Sequence, residues 1–200
     1  MNLDTAIAAR DLEDCLKNFT EITARLRNGE MIGRASHGFY RELRDHHDAY
    51  TTLIKMMGQT LLYHASGFYH ILEEDNDNFS DRSKSAAVVA FCIVEQLGNK
   101  GTDPSQMIDK ATVLNQDFID SVLKDQAKNL RQLNLHHVAD FQKTLNTLTR
   151  MGFISISDDT FNEGIILLHP FHFYLDACRK ATEHVKDIDQ DLLTNQGEQP

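Results

Sequence analysis

The segment Leu145-Asn146-Thr147-Leu148-Thr149-Arg150-Met151-Gly152-Phe153-Ile154 constrains the fold of this chain more than any other. Apolar residues at three- and four-residue steps make its first part helical. Gly152 stands where a helix ends best, because the left-handed position after the last turn is strained for any residue with a Cβ. Phe153-Ile154-Ser155-Ile156-Ser157 then alternates at period two, the mark of a half-buried strand. A polar stretch from Asp158 to Gly164 leads to a second strand, Ile165 to Leu168. The pattern predicts a helix from Val138 to Met151, closed by glycine and followed at once by a β-hairpin.

The same order is legible earlier. Leu12, Leu16, Phe19, Ile22 (or Thr23) and Leu26 fall on one face of a helix from about Thr5 to Arg27, stopped by Asn28-Gly29. Glu30-Met31-Ile32 has room only for a very short strand. Ser36 is a suitable N-cap for the next helical run, with Phe39, Leu43, His46 or His47, Tyr50, Leu53 or Ile54, and Met57 in helical rhythm. A break is expected near Asp45–Asp48, with Asp48 capping a third helix; Gly58 ends the run. Gln59 to Ala65 and Phe68 to Glu74 read as a hairpin around a two-residue Ser66-Gly67 turn. In that register Leu61, Tyr63, Ala65, Phe68, His70 and Leu72 share one face, and Leu62, His64, Tyr69 and Ile71 the other. Both faces are apolar. One is expected to cover its own half; the other, with Leu62, Tyr69 and Ile71, is a candidate partner interface unless the chain's own helices bury it.

The acidic, turn-rich run Glu73-Glu74-Asp75-Asn76-Asp77-Asn78 is the clearest linker. Beyond it, Ser85 to Leu97 is apolar nearly all round and should be a central helix. Asp103 and Pro104 suit the start of a short helix. Asn115 is placed to cap a longer one carrying Phe118, Ile119, Val122, Leu123, Leu130 and Leu133. After the second hairpin, Pro170 suits the first turn of a final helix with Phe171, Tyr174, Leu175, Cys178 and Val185. Helices followed by a hairpin, twice in 200 residues, describe an α+β, mostly helical chain of tandem winged-helix domains with two-stranded wings. The expected boundaries are residues 1–74 and 85–187, with a linker at 75–84 and a disordered tail at 188–200.

Charge limits the functions open to such a chain. Thirty acidic against 20 basic residues leave a net charge of −10, whereas phosphate neutralisation supplies most of the affinity of an autonomous nucleic-acid binder. The basic residues are nevertheless bunched. Residues 24–44 hold Arg25, Arg27, Arg34, Arg41 and Arg44 against Glu30 and Glu42, and residues 126–152 hold Lys128, Arg131, Lys143 and Arg150 against Asp140. Lys128, Arg131, Lys143, Arg150, Arg34, Arg41 and Arg44 are the candidate DNA contacts, and weak, sequence-independent binding is the expectation. Solvated helix faces would carry the same residues.

Catalytic and cofactor signatures are missing. There is no GxxxxGK[ST] phosphate loop, GxGxxG, GxSxG or HExxH. His46-His47 and His136-His137 are adjacent pairs whose side chains diverge on a helix, and the assumed register puts His64 and His70 on opposite hairpin faces. His169 and His172 have no further ligand at metal-binding spacing. Asp158, Asp159 and Glu163 are expected to form a solvated turn, with weak attraction of a cation as the lesser alternative. Cys15, Cys92 and Cys178 make no CxxC pair, an intracellular pattern. No run of about 18 apolar residues suggests a membrane span. The chain is expected to be cytoplasmic, with no enzyme activity, cofactor or metal.

Three features together resemble one family: Leu26-Arg27-Asn28-Gly29-Glu30-Met31-Ile32 before a long aromatic-bearing helix; the wing from Leu61-Leu62-Tyr63-His64 through Ser66-Gly67 into Phe68-Tyr69-His70-Ile71-Leu72; and the helix-Gly152-Phe153-Ile154 hairpin. They are similar to the small tandem winged-helix subunits of bacterial SMC condensin complexes, the MukE-like and MksE-like proteins, with the small subunit of the Jet/Wadjet plasmid-defence system related to them. The resemblance covers roughly residues 5–187. It implies a non-catalytic subunit that dimerises, clasps the kleisin chain bridging two SMC ATPase heads, and helps the assembly engage DNA at the nucleoid. A winged-helix transcriptional regulator is the alternative.

Overall fold

The computed structural model describes residues 16–73, 81–157 and 163–182. The expected helix start near Thr5, Leu12, Cys15, the acidic run from Glu74 to Asn78, Asp158, Asp159, Val185 and the tail lie outside the described residues. The chain is mostly helical, with two small antiparallel sheets.

The first half runs α1 (Phe19–Arg27), β1 (Ile32–Gly33), α2 (His37–Asp45), α3 (His47–Met56), β2 (Gln59–His64) and β3 (Phe68–Glu73). Its sheet has the order β1-β3-β2, so the two-residue strand pairs with the far strand of the hairpin. Ile22, Leu26, Ile32, Leu43, Tyr50, Ile54, Leu61 and Tyr69 form its core. Ser36 holds the cap position of α2 without a side-chain hydrogen bond. The α2–α3 break falls where the sequence suggested, but His46 rather than Asp48 occupies the cap of α3.

One carboxylate ties this half together. Glu42 on α2 accepts from the Asn18 backbone N–H (3.0 Å), the Asn18 side-chain amide (2.7 Å) and the Tyr50 hydroxyl (2.6 Å). It thereby supplies an acceptor at the N-terminus of α1, where backbone donors lack intrahelical partners. Burial alone would raise its pKa, but these hydrogen bonds outweigh burial and hold it below the ordinary carboxylate value.

The second half runs α4 (Asp81–Asn99), α5 (Pro104–Asp109), β4 (Val113–Asn115), α6 (Gln116–Asp125), α7 (Ala127–Arg131), α8 (Val138–Arg150), β5 (Ile154–Ser157) and β6 (Gly164–Leu167), then a 3₁₀ turn at His169–Phe171 and α9 over 172–182. Helix α4 begins at Asp81, inside the stretch expected to be linker. It is central, packing against α5, α6, α7 and α8 through Ala86, Val89, Ala90, Cys92, Ile93 and Leu97. Its buried Gln96 donates to Ser121 Oγ (3.1 Å) and Asp125 Oδ2 (2.8 Å), which fastens α6 to it. Both expected caps form: Asp103 accepts from the Ser105 N–H and Asn115 from the Phe118 N–H. The single long helix expected after Asn115 is two, α6 and α7, and Leu133 lies beyond them, partly exposed. The sequence reading also passed over β4, which pairs with β6 to give the order β4-β6-β5.

The halves meet at the end of α8. Gly152 takes φ +79°, and the Phe153 N–H returns to the Leu148 carbonyl, closing the helix as the sequence indicated. Next to it the Met151 carbonyl accepts the Met31 N–H of the first half at 2.9 Å. A Cβ on Gly152 would sit 2.7 Å from the Met31 carbonyl oxygen. Gly33 packs on Pro170, and Phe68, fully buried, lies in β3 opposite Gly33.

Two outcomes follow. Gly152→Ala should lower stability by on the order of 1–2 kcal/mol from the left-handed backbone alone, and by more through the overlap with Met31. Gly58, at φ +76° with open space around its missing Cβ, isolates the first effect. A urea midpoint that drops further for Gly152→Ala than for Gly58→Ala confirms the junction contact. Separately, a depressed Glu42 pKa contributes stability present above the unfolded value near 4.5 and lost as pH falls through the lower folded value. Glu42→Gln should flatten that acid limb of the stability–pH curve, read by thermal melts across it.

Candidate interaction surfaces

The first hairpin has a different register from the one its sequence suggests. His64 pairs with Phe68, Tyr63 with Tyr69, Leu62 with His70 and Leu61 with Ile71. The loop is therefore three residues, Ala65-Ser66-Gly67, with Gly67 at φ +86° and its N–H bonded to the His64 carbonyl. Directly paired residues share a face, so adding one loop residue exchanges the faces of one strand relative to the other. Tyr69 and Ile71 consequently join Leu61 and turn inward. Tyr69 is 3% exposed and Ile71 packs on the first core, so neither belongs to a free partner face. Leu62 does face outward, beside Leu72, and both are exposed.

That outward face is divided. Toward the hairpin tip it is covered by the second half: His64 Nε2 lies 3.3 Å from Asp176 Oδ2, and the His70 and Phe173 rings meet at 6.0 Å. His64 and His70 share this face, contrary to the sequence reading, with Phe68 stacked on His64 at 4.4 Å. Burial, with His64 adding to it, lowers the His70 pKa and favours the neutral ring. Leu62, on the same rung as His70, and Leu72, two rungs nearer the base of the hairpin, remain open, and Phe173 is partly exposed at the boundary.

The seven candidate DNA contacts are all exposed, but no single element gathers them. On α8, Phe141, Thr144, Leu145 and Leu148 are buried, which turns Lys143, Asn146 and Arg150 outward at i, i+3 and i+7. Asp140 shares that face one turn earlier. Lys128 and Arg131 stand on α7. None of these four cations has an ion-pair partner among the described residues. The corresponding helix of the first half, α3, exposes Asp48, Thr52, Lys55 and Met56, with Met56 78% exposed. Its outer face is neutral and ends in a thioether. The arginines of this half lie on and before α2 instead. Arg44 is held by Asp45 at 2.8 Å, while Arg34 and Arg41 have no carboxylate partner among the described residues.

A tyrosine cluster, which the sequence reading missed, adjoins these arginines. Tyr40 of α2 and Tyr63 of β2 both pack on Tyr69, with ring centroids 5.8 and 4.8 Å away, and their hydroxyls are 3.2 Å apart. Burial first, then the neighbouring phenols, push the Tyr69 pKa up to about 12. No local pattern announces this cluster, because it depends on the hairpin register.

Among the described residues, no three His, Cys, Asp or Glu side chains converge in a way that would hold a metal. Burial pushes the Cys92 thiol up to about 11, away from thiolate chemistry. No helix among the described residues is long and apolar enough to cross a membrane. A family model described as condensin complex protein MksE matches residues 17–179. No curated protein matches the chain.

The corrected faces have a direct consequence. Leu62→Asp, on the outward side, should change stability by no more than about 0.5 kcal/mol. Tyr69→Ala should cost about 3 kcal/mol as a buried aromatic truncation. Urea denaturation of both variants checks the register; equal losses would contradict it.

Proposed function

Because this chain belongs to the family of the condensin complex protein MksE, and is thus an accessory subunit of an SMC complex, we propose that it works as a non-catalytic clasp within that complex. In this reading each half is a winged helix, and the chain dimerises and holds the kleisin that bridges the SMC ATPase heads. It supports DNA engagement in chromosome organisation and segregation, or in plasmid defence, at the nucleoid. The ATPase supplies the chemistry.

The family match carries the reading, since residues 17–179 include both halves and the junction between them. The order of elements supports the winged-helix assignment: helix, short strand, two helices and hairpin in the first half, with the short strand paired to the far hairpin strand, and the same sheet order in the second. A net charge of −10 suits a scaffold held in an assembly better than a free DNA binder. The open part of the first hairpin's outward face, Leu62 with Leu72, is the apolar surface offered to a protein partner, and the α8 face with Lys143 and Arg150 is the surface offered to DNA.

The chain should co-purify with a kleisin-like protein and an SMC-like ATPase, and should hydrolyse no nucleotide alone. The isolated chain should bind duplex DNA weakly and without sequence preference, with a Kd on the order of 10⁻⁴–10⁻⁶ M. Lys143→Glu with Arg150→Glu should remove that binding for all sequences alike. Recovery of the chain from native lysate without either protein would overturn the scaffold reading. Nanomolar binding to one operator at physiological salt would replace it with a transcriptional regulator.

A further inference from the structure

We infer that the tip of the first hairpin is a phosphodiester-binding site, built from the Arg34 guanidinium and the paired hydroxyls of Tyr40 and Tyr63, and that its ligand is duplex DNA. The inference rests on the DNA engagement proposed above and assigns it a second contact, away from α8.

Backbone pairing places the groups. Gly33 pairs with Phe68, so Arg34, the next residue, leaves β1 beside the hairpin loop. Gly67, required by its left-handed backbone, lies beneath it. A Cβ there would lie 3.6 Å from Arg34 Nε and 3.8 Å from the Tyr63 hydroxyl, so guanidinium and phenol close over the same point of backbone. Tyr63 is joined to Tyr40 through their hydroxyls at 3.2 Å, and both rings are braced by the buried Tyr69. The two phenols are therefore preorganised, with little rotamer freedom left to lose on binding.

Chemistry selects an anion. In a pair of neutral phenols one hydroxyl donates to the other, and the second hydroxyl keeps a proton to give outward. Arg34 adds a planar fork of N–H donors, is exposed, and has no carboxylate partner among the described residues. Arg44, by contrast, already holds Asp45.

The wider charge pattern selects a long polyanion over a single acidic side chain. Met31, three residues before Arg34, bonds to Met151, the residue after Arg150. One residue from each of the two basic stretches of an otherwise acidic sequence thus meets the other at the junction.

The test uses the full chain and a labelled duplex, with anisotropy read over a range of salt concentrations. Arg34→Gln should weaken binding about five- to tenfold and reduce the slope of log K against log salt by about one, the signature of one lost phosphate contact. Arg34→Lys should keep the slope. Tyr40→Phe with Tyr63→Phe should weaken binding about threefold without changing it, as expected for neutral donors. The chain has no tryptophan, so quenching of tyrosine emission by the duplex gives a second readout, which the double phenylalanine variant should diminish. Arg82→Gln, an exposed arginine on α4, is the charge control. Wild-type binding with Arg34→Gln indistinguishable from Arg82→Gln would overturn this site and leave the α8 contact standing. Absence of duplex binding by the wild type would overturn both. Displacement of the duplex from Arg34 by a polyglutamate peptide at equal charge concentration would reassign the site to an acidic protein partner.

Discussion

The Met31 N–H to Met151 C=O hydrogen bond governs how the two halves sit together. The last carbonyls of a helix lack intrahelical donors, and one of those at the end of α8 is satisfied from the other half of the chain. Gly152 makes this approach feasible, because any side chain there would meet the Met31 carbonyl. Around that bond, Gly33 packs on Pro170, Phe68 is sealed, and His64 reaches Asp176. The outward face of the first hairpin is consequently half covered. What stays available to another protein is Leu62 with Leu72.

The same sheet order, with a helix leading into each hairpin, serves two different surfaces. The third helix of the first half ends in exposed methionines and carries one lysine against one aspartate; its counterpart α8 presents Lys143, Asn146 and Arg150. Burial explains why the difference is possible. In both helices the apolar stripe faces the core and holds the fold, which leaves the outer residues free to differ. Charge in the first half sits instead around α2 and the hairpin tip, where Arg34 and the tyrosine cluster lie. In the reading proposed above, small basic surfaces of this kind keep DNA contact local and salt-sensitive without making the free chain a strong binder.

Polar anchoring does separate work in each half. Glu42 ties α1 to α2 and α3, and Gln96 ties α4 to α6. Glu42 accepts three hydrogen bonds and Gln96 donates two through its amide nitrogen, and these directional contacts orient helices that apolar packing alone would leave freer to slide.

Much of the fold was legible without coordinates because its signals are local. Helical spacing located α1 to α4 and α8, Gly152 marked the end of α8, and Asp103 and Asn115 announced their caps through chemistry that acts within three residues. The exposure of Lys143 and Arg150 followed from the same periodicity. Other features depended on tertiary contact. The strand Val113–Asn115 exists because β6 pairs with it, and three residues carry too little pattern of their own. One extra residue in the Ala65-Ser66-Gly67 loop decided which way Tyr69 and Ile71 face, since strand periodicity fixes alternation but not register. The meeting of Tyr40 with Tyr63, of Arg34 with the Gly67 turn, and of Met31 with Met151 joins residues 23 to 120 positions apart. Local propensity determined the elements of this protein; long-range backbone pairing, which no short window of sequence contains, decided which of their faces were left for partners.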